Sequence, residues 1–298
     1  MGNGFDLAHG LPTSYENFHQ WLLGNNDVWF IKAFEKLYPA INIDGRWCDI
    51  ESALKKLSLK EAMDFDKNYQ DCPDDVREEN SSHDAYICGE NLRNVIGAIP
   101  SCLLDWALTI CKTKCSKLFD LEPEAYYLTF NYTRTLEDIY GIYSNDIYHI
   151  HGIIGSGSEL VMGYDEDSFD TEIDASEWED DVNIRKIVNT LRRNKKPVNT
   201  ILKYPLSSKF LREISEVSDV IVYGHSCSNV DKPYYNAIAN NIKPNAKWTV
   251  YVHNVHNMDN NTSVEQFIKS ILQPSQTVKI TNNSPLKKQE NELDLQKM

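Results

Sequence analysis

Apolar residues recur with helical spacing over the first third of the chain. Ile50, Ala53, Leu54 and Leu57 follow the i, i+3, i+4, i+7 rhythm, and Leu92, Val95, Ile96 and Ile99 repeat it ahead of Pro100. An earlier helix is marked by Tyr15, Phe18, His19 and Leu22 on one face, with Thr13 as its N-cap, Glu16 closing a capping box and Gly24 as its stop. Residues 71–84 are polar and predict an exposed loop. The whole of 16–119 therefore reads as a helical segment.

After Pro123 the rhythm changes to short apolar runs separated by helices, the mark of a mostly parallel sheet. Strands are predicted over 125–130, 146–154, 159–162, 220–223 and 248–253. Helices are marked by Leu136, Ile139, Tyr140 and Tyr143, by Ile184, Ile187, Val188 and Leu191, by Phe210, Leu211, Ile214 and Val217, and by Tyr234, Tyr235, Ile238 and Ile242. The predicted fold is α/β: a Rossmann-like core from 1–15 and 120–282, with 16–119 as a large helical insertion after the first Gly-rich turn. Residues 283–298 are polar and aperiodic and predict a flexible tail. A Gly-x-Gly turn normally follows a buried strand, and none precedes Gly2-Asn3-Gly4, so the first strand is read as truncated.

Composition narrows the classes. A chain of 298 residues can bury a full core, and it contains no run near the ~20 apolar residues of a membrane span and no signal-peptide zones. Seven scattered cysteines without a C-x-x-C pair read as reduced thiols of a cytoplasmic protein. Cys111 and Cys115, one helical turn apart, lack a matching histidine pair, which favours packing over metal binding. The net charge of -14 argues against nucleic acid as the main partner. The basic cluster of Arg185, Lys186, Arg192, Arg193, Lys195 and Lys196 follows an acidic run over 159–181 and reads as a solvated face.

Four segments fall where strands end or helices begin, the place where open α/β sheets bind ligands. In Gly2-Asn3-Gly4-Phe5-Asp6 the glycines either make a tight turn or let backbone N–H groups approach a pyrophosphate, and Asp6 is a turn residue or an acceptor for a ribose hydroxyl. Asn131 presents an amide that donates and accepts, suited to a ribose hydroxyl or a water. His151 is a candidate general base, with a structural histidine as the bland alternative. His149, two residues earlier on the same side of a strand, would make a metal pair with it, but no third ligand is identifiable. The loop from Gly224 through His225, Ser226 and Asp231 lacks the second glycine of a hydrolase nucleophile elbow, which favours a nucleotide-contacting loop.

These segments, with Trp47-x-Asp49-x-Glu51, Phe130-Asn131-Tyr132-Thr133 and Pro233-Tyr234, resemble the AbiH family of phage abortive-infection proteins over nearly the whole chain. The resemblance implies a role in phage defence and a phage-derived trigger as partner. A more distant likeness, to sirtuins and sirtuin-like NAD-cleaving defence domains, implies a sirtuin-like core with NAD as substrate or ligand. It makes Asn131 and His151 the catalytic pair, Gly2, Gly4 and Phe5 the phosphate loop, and Gly224, Ser226 and Asn254 the adenosine-side contacts. No cysteine quartet is present for a sirtuin zinc module, so neither deacylation nor a bound metal is expected.

Three functions remain open on the sequence: hydrolysis of NAD at the nicotinamide-ribose bond, a nucleotide sensor that switches a partner, and an interaction protein whose helical insertion recognises a phage component. A toxic hydrolase needs gating, for which assembly into a homo-oligomer is the common route. No membrane partner is expected.

Overall fold

The computed structural model describes residues 1–25, 27–43, 46–47, 49–68, 90–110, 115–157, 160–164, 182–252, 258–284 and 286–288. The predicted loop over 71–84 and Asn254 lie outside them. In chain order the helices are α1 (Asn3–Ala8), α2 (Tyr15–Gly24), α3 (Val28–Leu37), α4 (Ile50–Lys56), α5 (Leu59–Asn68), α6 (Glu90–Ile110), α7 (Thr135–Asp138), α8 (Val182–Leu191), α9 (Val198–Lys203), α10 (Pro205–Glu213), α11 (Lys232–Asn241) and α12 (Met258–Ile271). The strands are β1 (Asn42–Ile43), β2 (Arg46–Trp47), β3 (Phe119–Asp120), β4 (Tyr127–Thr129), β5 (Ile147–His149), β6 (Asp219–Tyr223), β7 (Lys247–Tyr251), β8 (Thr277–Thr281) and β9 (Lys287–Lys288). The protein is thus a mixed helix and sheet fold with small parallel sheets. None of its described helices is long and apolar enough to cross a membrane.

The chain divides into two compact units. One holds Met1–Thr13, Thr109–Glu159 and Val198–Met298, the other Ser14–Leu108 and Leu160–Pro197.

In the first unit β6, β7 and β8 run parallel, with Tyr223 opposite Tyr251 and Tyr251 opposite Thr281. Their apolar residues Val222, Trp248 and Val250 pack with Phe210 and Ile214 near α10, Tyr235 and Ala239 of α11, and Phe267, Ile268 and Ile271 of α12. β4 and β5 form a second parallel pair, with Thr129 opposite His149. Met1 and Gly2 join the two sheets. The Met1 N–H donates to Leu128 O at 2.7 Å, the Phe130 N–H donates back to Met1 O at 3.1 Å, and the Gly2 N–H donates to Tyr223 O at 2.9 Å. That is the bonding of a parallel ladder, so the order across the unit is β5, β4, Met1–Gly2, β6, β7, β8.

The second unit is mainly helical. Ser14, not Thr13, caps α2: its hydroxyl accepts from Asn17 N, and Asn17 Oδ1 accepts from Ser14 N. Glu16, freed from the cap, accepts instead from the Trp47 N–H at 3.0 Å. Trp47 is fully enclosed; its ring stacks on His19 at 4.7 Å and 2°, meets Phe18 and Phe34, and donates from Nε1 to Glu35 at 2.9 Å. Asp49 caps α4 by accepting from Ser52 N. Glu51, in the first turn of α4, pairs with the wholly buried Lys196 at 2.7 Å. The Trp47-x-Asp49-x-Glu51 motif is therefore architectural, one packing residue, one cap and one buried ion pair.

Several sequence expectations change. α6 continues through Pro100 to Ile110. The strand predicted over 146–154 ends at His149, because Ile150 and His151 turn and Gly152 takes a left-handed φ of +88°. Residues 160–163 form no strand, and the next residue, Tyr164, makes an isolated parallel bridge to Lys195. Within the stretch expected to fray, Lys287 and Lys288 pair antiparallel with β3.

Candidate functional site

The first and fourth loops meet through glycine. Gly4 N–H donates to Gly224 O at 2.7 Å. A methyl group on Gly2 would stand 2.6 Å from Gly224 O and from His225 Cα, one on Gly4 2.7 Å from Gly224 Cα, and one on Gly224 2.4 Å from Phe5 N. Gly224 also has a left-handed φ of +66°. These three glycines form a backbone-on-backbone seam, and the amides of both turn glycines are engaged by protein carbonyls within it.

The first loop is equally tied to the second. Asp6 is 1% exposed, and its two oxygens accept from Thr133 Oγ1 at 2.6 Å and Thr135 Oγ1 at 2.9 Å. Burial pushes its carboxyl above the ordinary value of 3.8, against the smaller pull of the two hydroxyls, His9 and Asn131. Asn131 donates from Nδ2 to Gly2 O at 3.2 Å. Asn3 reaches outward to Thr13 O at 2.9 Å. Phe5 is core, packed against Phe119, Tyr140 and Tyr223.

The two histidines of the third loop part company, because β5 ends between them. His149 faces the second loop, with Nδ1 3.2 Å from Asn131 O and Nε2 3.1 Å from Glu137 Oε1. His151 faces the fourth, its Nε2 3.6 Å from Asp231 Oδ1, its ring against Phe130 and Tyr234. The expected same-side His-x-His pair is thus not formed. Among the described residues no group of three or more His, Cys, Asp or Glu side chains is placed to hold a metal.

Asp231 is shared. Its Oδ2 lies 3.3 Å from His225 Nε2, and the Phe130 ring sits 4.2 Å from the His225 ring. The Cys227 N–H donates to His225 Nδ1 at 2.9 Å. Burial pushes the Cys227 thiol up to about 12, which removes it as a nucleophile at neutral pH. Ser226 is exposed, and both nitrogens of the adjacent His225 are directed elsewhere.

The structure therefore brings Gly2, Gly4, Asp6, Asn131, His151, Gly224, His225 and Asp231 together at the carboxyl ends of β4, β5 and β6. Ser226 and Asn3 lie at its periphery. Thr133 reads from the sequence as an N-cap, but its hydroxyl goes to Asp6 instead, and neither Glu137 nor Thr135 is marked by the sequence pattern. An acidic residue in the first turn of a helix ordinarily reads as a partner of the helix dipole, and nothing in the local pattern marks Glu137 as buried.

A family model described as "Bacteriophage abortive infection AbiH" matches residues 1–252, which contain all four loops. No curated protein and no solved structure matches the chain.

Proposed function

The chain belongs to the AbiH family of bacteriophage abortive-infection proteins, and on that premise we propose that it serves phage defence by binding NAD where the four loops meet and cleaving the nicotinamide-ribose bond. Counted in chain order within the array that runs from β5 to β8, leaving aside the separate β3–β9 pair, the positions run 3-2-1-4-5-6, with Met1–Gly2 as position 1. This is the order of Rossmann-like dinucleotide folds, in which ligands lie outside the carboxyl ends of the strands where the order reverses. Here that point falls between Met1–Gly2 and β6.

The observation that carries the reading is that Asn131 and His151 follow the carboxyl ends of the neighbouring strands β4 and β5, Asn131 held by Gly2 O and His151 beside Asp231. In the proposed reaction the bond between ribose C1′ and the nicotinamide nitrogen breaks, nicotinamide leaves with the electron pair, and water adds to C1′. Asn131 positions the ribose or the water, and His151, braced by Asp231, takes the proton.

Incubation of the purified protein with NAD, with products identified by mass spectrometry, tests it. Nicotinamide and ADP-ribose are expected from the wild type, and Asn131→Ala or His151→Ala should each lower the rate by ~10²–10⁴-fold. Wild-type rates in both folded variants would overturn it. A second reading, a sensor that binds the dinucleotide without cleaving it, is favoured by the enclosure of both side chains, 8% and 5% exposed. Recovery of bound, intact NAD would select that reading.

A further inference from the structure

Glu137 is the residue near the site whose chemistry is unspent. Its side chain is 6% exposed. Oε1 receives His149, whereas Oε2 is enclosed and has no hydrogen-bond partner among the described residues. Burial pushes the carboxyl up, but the hydrogen bond and charge of His149, with Arg134 nearby, outweigh it and hold the group below its ordinary value of 4.5. An ionised, enclosed oxygen without a donor is costly, and such an atom in a folded protein calls for a partner.

Its position suggests which partner. α7 begins just after the loop that leaves β4, and β4 is the strand beside Met1–Gly2. In sheets of this order an acidic side chain beyond the strand next to the central one accepts the 2′-hydroxyl of the adenosine ribose. His149 meets an acceptor at each ring nitrogen, Glu137 Oε1 and Asn131 O, so it fixes the carboxylate and ties it to the Asn131 peptide.

We propose that Glu137 is a ligand-binding residue whose Oε2 accepts a ribose hydroxyl of the nucleotide, making the site select a free 2′-hydroxyl over a 2′-phosphate. This rests on the dinucleotide reading but not on cleavage. A carboxylate accepts an O–H and repels a phosphate, so discrimination between NAD and NADP follows from the charge alone.

Calorimetry with ADP-ribose, NAD and NADP on the wild type and on Glu137→Gln provides the test. The wild type should bind ADP-ribose and NAD roughly tenfold or more tightly than NADP. Glu137→Gln keeps an acceptor for His149; in a protein that melts like the wild type it should weaken ADP-ribose by a similar factor and bring NAD and NADP level. Equal affinity of wild type and Glu137→Gln for ADP-ribose overturns the assignment, as does a wild type that binds NADP as well as NAD, a result that needs no variant. ADP-ribose binding that depends on Glu137 without NAD cleavage leaves this inference standing and ends the hydrolase reading. Absence of binding by all three nucleotides ends both.

Discussion

Cys227 donates its backbone N–H to Nδ1 of His225 at 2.9 Å, and it does so from a left-handed conformation with φ +55°. A ring nitrogen that accepts a backbone N–H carries no proton, so His225 is the Nε2–H tautomer, and that proton faces Asp231 Oδ2 at 3.3 Å. Asp231 presents its other oxygen to His151. The strained residue thus sets the first of two imidazoles arranged around one carboxylate, and strain of this kind gathers at functional sites.

The left-handed backbone can be tested through stability. Cys227→Ala and Cys227→Gly both delete the buried thiol, but only alanine keeps the steric penalty of the left-handed region, about 1–2 kcal/mol. Glycine loses part of that advantage to its freer unfolded chain, roughly 0.5–1 kcal/mol. Urea unfolding should therefore place Cys227→Gly at or above Cys227→Ala. An alanine variant clearly more stable than the glycine one would contradict the conformation.

The glycine seam makes a sharper prediction. Gly224→Ala combines a left-handed φ with a Cβ 2.4 Å from Phe5 N, whereas Gly10→Ala has a similar φ of +75° and nothing within 4 Å. Gly10→Ala should cost about 1–2 kcal/mol for conformation alone. Gly224→Ala must in addition push two backbone segments apart and should cost about 1–3 kcal/mol more. Equal losses for the two variants would show that the loops are not in backbone contact.

How much of this was legible in the chain differs by feature. The strand at Val220–Tyr223 was visible because a continuous apolar run ends in Gly224, and α4 because its apolar residues keep a helical period. β8 was not, since Thr277-Val278-Lys279-Ile280-Thr281 alternates too briefly to stand out from the polar stretch around it. Gly2, Gly4 and Gly224 were recognised as turn residues, but their role against one another is a tertiary contact across more than two hundred residues. His149 and His151 were read as one pair because period-two spacing assumes that the strand continues, and it stops between them. The unpartnered oxygen of Glu137 depends on burial, which a short helix of four residues does not encode by pattern.

Asp6 carries a pH signature. Its folded carboxyl is raised above 3.8 by burial, so in the window above that value the folded state holds the proton that the unfolded state has released. The contribution of Asp6 to stability is therefore fully present below the unfolded value and is lost as pH rises through the folded one, so the wild type is most favoured on the acid side. Asp6→Asn has no such proton. The stability of the wild type minus that of Asp6→Asn, from urea unfolding at a series of pH values, should therefore grow as pH drops from 7 toward 4. Contributions of Glu137 and other carboxylates cancel in that difference. A flat or reversed trend would mean that Asp6 is not the enclosed, threonine-bonded group described.

The buried pair in the helical unit separates a charge from its partner. Lys196 is wholly enclosed and Glu51 17% exposed in its side chain, at 2.7 Å. Removing the carboxylate in Glu51→Gln deprives an ammonium held in the interior of the counter-charge 2.7 Å from it, a kind of change that costs up to about 3–5 kcal/mol. Removing the ammonium in Lys196→Met leaves a carboxylate that can turn toward water, so the loss should be smaller. Replacing both, Glu51→Gln with Lys196→Met, takes the charge out of the interior altogether and should restore part of what Glu51→Gln alone loses, because apolar substitutes for buried pairs are often neutral or better. Urea unfolding of the three variants gives the order directly. If Glu51→Gln proves no worse than Lys196→Met, the ammonium is not confined as described. The third residue of the Trp47-x-Asp49-x-Glu51 motif would then need a reason other than holding residue 196 in place.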